Sequence, residues 1–92
     1  MEKHTMIALS TAHVSKETAR ELDNGEIDTV VYPKGGYGWF IPVTDETEDL
    51  EGRIPADLYG CIKYAARNNA GWVMFDSDVD TKENSELPIY NW

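Results

Sequence analysis

A single cysteine, Cys61, excludes any disulfide within the chain, and a reducing cytoplasm is its simplest setting. Basic residues are scarce. Eight Lys and Arg stand against seventeen Asp and Glu, a formal net charge of −9 with both histidines neutral. A body this acidic repels phosphate backbones and anionic lipid. That argues against direct binding of nucleic acid or membrane, and for a protein partner with a basic surface. Long apolar runs are missing as well. None approaches the roughly 20 residues of a membrane-spanning helix, and Met1-Glu2-Lys3-His4 carries no signal-peptide pattern. Internal repeats and flexible linkers are absent, and 92 residues fit one domain, residues 1–92. What is present suffices for a core: 41% of the residues are hydrophobic and 11% aromatic, too apolar for a disordered acidic tail.

Residues 5–9 (TMIAL) read as a short buried strand, followed by a polar loop. Ser15 is a good N-cap, because its hydroxyl accepts from a free first-turn N–H, and Glu17 suits the positive end of the helix dipole. The helix is expected over residues 16–23, ended by Asn24-Gly25. Residues 29–32 (TVVY) are β-branched and aromatic, hence a strand. The turn Pro33-Lys34-Gly35-Gly36 joins it to a second strand over residues 37–43 (YGWFIPV), a hairpin pattern. Pro42 lacks a ladder N–H, so the strand ends there or lies at an edge. Pro55 suits the start of a helix over residues 56–69, with Leu58, Cys61, Ile62, Ala65 and Ala66 on one face. Residues 72–75 (WVMF) read as a buried strand, and the apolar ending Leu87-Pro88-Ile89-Tyr90-Asn91-Trp92 is expected to pack on the domain as a short edge strand. The fold class is α+β, a small two-layer sandwich in the split βαβ (ferredoxin-like) order β-α-β-β-α-β with a short C-terminal extension. Strand pairing is left open by the pattern.

Six features are weighed for possible chemistry. Asp76, Asp78 and Asp80 alternate after a strand and begin like a calcium loop, but Thr81 stands where the sharp turn needs Gly and Leu87 where the bidentate Glu belongs. A solvated acidic loop is the plainer reading. Ser10 and Thr11 lie close to His13, the residue types of an activated nucleophile, without a visible oxyanion hole or orienting group. A polar loop leading into the helix is the alternative. Lys34-Gly35-Gly36-Tyr37-Gly38 lacks the phosphate-loop pattern and fits a hairpin turn better. Cys61 falls on an apolar helix face, where thiols are inert. Tyr37, Trp39 and Ile41 share one strand face opposite Phe40, so one aromatic face is a candidate interface anchor. Finally, ten of the seventeen acids fall in two runs. Asp45, Glu46, Glu48, Asp49 and Glu51 form the first; Asp76, Asp78, Asp80, Glu83 and Glu86 form the second. Merged, they would make a surface that steers a basic partner or mimics the charge of DNA; apart, they serve solubility.

As a set, Ser10-Thr11-Ala12-His13, Glu17-Thr18-Ala19, Leu22-Asp23, Tyr37-Gly38-Trp39-Phe40, Trp72, Asp76 and the ending Leu87-Pro88-Ile89-Tyr90-Asn91-Trp92 resemble an uncharacterised bacterial mobile-element domain family (DUF5983-like). The resemblance spans nearly the whole chain. It implies a setting among plasmids and prophages, near anti-restriction and toxin–antitoxin genes, and it brings no catalytic residues. The resulting expectation is a small acidic protein-binding module, not an enzyme. It would act as an inhibitor or accessory factor in conflict with host defence, anti-restriction or anti-CRISPR-like, with no cofactor. Its binding residues would be Asp45, Glu46, Glu48, Asp49, Glu51, Tyr37, Trp39, Asp76, Asp78 and Asp80. The alternatives are a small enzyme using Ser10, Thr11 and His13, and a divalent-metal or small-ligand domain using Asp76, Asp78 and Asp80.

Overall fold

A computed structural model of the chain describes residues 3–35 and 38–91. Among them, four strands and two helices follow one another as β1 (Met6–Ser10), α1 (Lys16–Asp23), β2 (Tyr32–Pro33), β3 (Gly38–Pro42), α2 (Ala56–Arg67) and β4 (Trp72–Asp76). This is the expected α+β chain order. The spatial order is β1-β4-β3-β2, with β1 parallel to β4 and the other pairs antiparallel.

Alternation along the strands sorts the sheet into two faces. The register aligns Leu9, Phe75 and Trp39 in one row and Ile7, Val73 and Ile41 in the next. All but Ile7 are buried, and they meet Ala19 and Leu22 of α1 and Leu58, Cys61, Ile62 and Ala65 of α2 in one core. Both helices therefore cover the same face. The run 72–75 is buried on that face only, since Trp72 and Met74 are partly exposed on the other.

Local chemistry explains the helix ends. The Ser15 hydroxyl accepts from Thr18 N–H at 3.2 Å, and Gly25 takes the left-handed conformation (φ +69°) just past α1. Beyond α2, which stops at Arg67, Asn69 takes that role at φ 59°. Asp57 ties the two helix starts together. Its carboxylate accepts from Ser15 N–H at 2.7 Å, from the Thr18 hydroxyl at 2.8 Å and from Leu58 N–H at 3.0 Å.

Three expectations are corrected. Only Tyr32–Pro33 pairs with β3, so residues 29–31 do not join the ladder. Strand propensity alone does not pair an edge segment when the ladder reaches only its last residue. Second, the C-terminal residues form no strand among the described positions. A 3-10 turn, Thr81–Asn84, is followed by buried Leu87, and Tyr90 N–H donates to Ala12 O at 2.8 Å. Asn84 guards the β1 edge by donating to Ala8 O at 3.0 Å, and its carbonyl accepts from the Tyr64 hydroxyl at 3.1 Å. Third, Trp39 is no surface anchor. It is 5% exposed, packs edge-on against Phe75, and donates its indole N–H to Asp23 at 2.9 Å. Gly36, Tyr37 and Trp92 lie outside the described residues.

Candidate protein interface

The two acidic runs leave the sheet at opposite ends, and the second folds back along the β1 edge at Asn84. β3 ends at Pro42, which pairs with Trp72 at the start of β4, whereas Gly38 pairs with Asp76 at its finish. The run 45–51 thus leaves one end and the run 76–86 the other. A single continuous acidic face, as DNA mimicry requires, gains no support from this arrangement.

The first run folds around a 3-10 turn, Thr47–Leu50, whose Thr47 hydroxyl donates to Thr44 O at 2.7 Å. Asp45, Glu46, Glu48, Asp49 and Glu51 are all exposed. Between this turn and residues 27–30 opens a groove of about 590 Å³. Asp28, Glu46, Asp49 and Arg53 supply its charge, and Ile27, Val30, Pro42 and Leu50 its apolar lining. Arg53 reaches Asp28 at 3.0 Å, so that charge is offset within the protein. Glu46 and Asp49 enter no ion pair among the described residues. The groove therefore keeps a net negative charge on a lining of mixed polar and apolar residues.

Beside it lies the sheet face turned away from the helices. Met6, Tyr32, Phe40 and Trp72 enclose a shallow hollow of about 310 Å³ there. Met6 is 44% and Tyr32 51% exposed, and the Tyr32 ring leans over β3 to within 6.0 Å of the Trp72 ring centroid. Of the residues expected to bind, Glu46 and Asp49 line the groove. Asp28, Arg53 and Met6 were missed. The exposed aromatic face is that of Phe40, and the alternation of Trp72 and Met74 with Val73 and Phe75 was the signal for it.

The second run is tied up locally. Asp76 accepts from Asp78 N–H at 2.8 Å and pairs with Lys34 at 2.9 Å. The Lys34 hydrogen bond first, and the Asp78 N–H second, hold the Asp76 carboxyl below the usual carboxylate range. Asp80 caps the next turn by accepting from Lys82 N–H at 2.9 Å, and Asp78 is exposed. Among the described residues no group of three or more His, Cys, Asp or Glu side chains is placed to hold a metal ion.

Ser10, Thr11 and His13 do not assemble a nucleophile. Ser10 is buried, and its hydroxyl accepts from Ala12 N–H at 3.1 Å. His13 is 1% exposed, and its Nδ1 lies 2.9 Å from Pro88 O, to which it donates. Among the described residues its Nε2 is buried with no hydrogen-bond partner, so neither the Ser10 nor the Thr11 hydroxyl is bonded to it. Cys61 is buried too, and burial first, then the nearby Asp57 charge, push its thiol up to about 12.

Among the described residues no helix is long and apolar enough to cross a membrane. Residues 6–92 match the family described as "Family of unknown function (DUF5983) C-terminal domain". No curated protein and no solved structure matches the chain.

Proposed function

Since the chain belongs to the DUF5983 family as its C-terminal domain, and that family brings no activity with it, we propose from the geometry that it is a protein-binding module for a partner with a basic surface. The observation that carries this is the groove beside the Thr47–Leu50 turn. There Glu46 and Asp49 stand without ion-pair partners among the described residues, beside an apolar lining of Ile27, Val30 and Leu50. A Lys or Arg fits such a place, its alkyl stem against the apolar lining and its charge at Glu46 and Asp49. The proposal includes a cytoplasmic setting, supported by the unpaired, buried Cys61. It also includes the bacterial mobile-element context that the resemblance implies, with the module inhibiting or assisting a host-defence protein.

The test is capture by the immobilised domain at low and high salt, beside a Glu46→Lys/Asp49→Lys domain. Support is a specific protein held at low salt by the native domain, released at high salt and not held by the variant. A captured protein that the variant holds equally well would place binding elsewhere and defeat the reading.

A further inference from the structure

We infer that the outer sheet face is the second half of the same docking surface, and that its occupant is a partner segment carrying a large apolar side chain next to a Lys or Arg. This inference rests on the reading of the groove given above.

Adjacency comes first. Pro42 lines the groove and is the ladder partner of Trp72, which lines the hollow on the sheet face. On the other side, Val30 lines the groove and Tyr32 the hollow. Acidic groove and aromatic hollow therefore share a border at two places, at the end of β3 and along the approach to β2. Neighbouring strands are about 4.8 Å apart, and residues i and i+2 of an extended segment about 7 Å apart. One face of a short extended segment thus spans the border, with its apolar residue on Phe40 and Trp72 and its cation at Glu46 and Asp49.

Charge selects the occupant. The chain carries −9 overall, so a second copy meets like charge. The face is also small for self-association. It exposes Met6 and Tyr32 well but Phe40, Trp72 and Met74 only in part, short of the roughly 800 Å² per partner of a stable interface. Anionic lipid is repelled for the same reason as a second copy. A basic protein segment with an apolar anchor satisfies both halves at once, and the tilted Tyr32–Trp72 pair is the kind of aromatic site on which such an anchor docks.

The experiment uses the whole chain, isotope-labelled, and two short synthetic peptides. One alternates leucine and lysine. The other replaces each leucine by serine and keeps the charge. Expected is that the Leu/Lys peptide shifts NMR signals of Thr44, Glu46 and Asp49 together with those of Met6, Phe40 and Trp72. The Ser/Lys peptide should shift only the first group and bind about tenfold more weakly. Tyr32→Ser, at a half-exposed edge position, should remove most of that tenfold advantage and leave Ser/Lys binding unchanged. If both peptides shift only the groove with equal affinity, the inference falls and the proposed function stands. If neither shifts the groove, the proposed function falls, and the inference with it. A dimer in sedimentation that Tyr32→Ser dissolves would give the face to a second copy and overturn the inference alone.

Discussion

Replacing Asp57 should cost this domain a large share of its stability. The carboxylate receives Ser15 N–H at 2.7 Å and the Thr18 hydroxyl at 2.8 Å, both from the start of α1, and Leu58 N–H from its own helix. Thr18 is 3% exposed, so water does not readily replace the lost acceptor. Hydrogen bonds to a charged group contribute about 1.5–3 kcal/mol each and are not additive. Asp57→Ala should therefore destabilise by about 3 kcal/mol, against a total of roughly 5–14 kcal/mol for a domain of this size. Asp57→Asn keeps one acceptor oxygen and should cost about 1–2 kcal/mol. Urea unfolding, followed by tryptophan fluorescence, should show a lower midpoint at unchanged slope. In thermal melts Asp57→Ala should lower Tm by roughly 12–24 °C. A double-mutant cycle with Thr18→Val should return a coupling of about 1–2 kcal/mol. An Asp57→Ala midpoint equal to the native one, or Asn no better than Ala, would refute the reasoning that this carboxylate clamps the two helix starts.

Gly38→Ala should be poorly tolerated, because a Cβ there would lie 1.6 Å from Phe75 O. A loss of about 2–3 kcal/mol in urea unfolding is expected, and native stability in the alanine variant would count against the close approach of β3 to β4. Lys34→Met should raise the titration midpoint of Asp76, read by carbon NMR of its carboxyl. The sign follows from linkage. The folded value lies below the unfolded one of about 3.9, so this contribution to stability is present above the unfolded value and is lost as pH falls through the folded one. An unmoved midpoint would separate Lys34 from Asp76. Cys61, with its thiol near 12, should react with iodoacetamide at mildly alkaline pH only as fast as the protein opens; rapid labelling of the native domain would contradict its burial.

Much of the fold was legible because its signals are local. Ser15 and Gly25 bracket α1 with side-chain and backbone chemistry confined to a few residues, and the turn before Gly38 announces the hairpin. Alternation divided β3 correctly into two faces, yet it carries no information on which face the helices cover. The pattern therefore offers Trp39 as a surface anchor, although it lies on the helix side with its indole bonded to Asp23. Residues 29–31 show the opposite failure. Their β-branching is a real preference, but pairing is decided by a partner, and β3 meets only Tyr32 and Pro33. The groove was half visible. Glu46 and Asp49 stand out as charges, whereas Asp28 and Arg53 join them from separate parts of the chain, a contact that no spacing rule announces. The Asp57 clamp spans about forty positions and was equally hidden.

The departure of the acidic runs from opposite ends of the sheet has an electrostatic consequence. Four ladder steps separate Trp72 from Asp76, about 13 Å at strand spacing, while the Debye length at physiological ionic strength is about 8 Å. The ends are therefore screened from each other and behave as two independent poles of the same sign. Such a distribution tends to cancel its own dipole, so the long-range field draws a cation in without turning it toward either end. Orientation must then be decided within contact range, where the aromatic sheet face borders one pole and the Lys34–Asp76 pair partly neutralises the other.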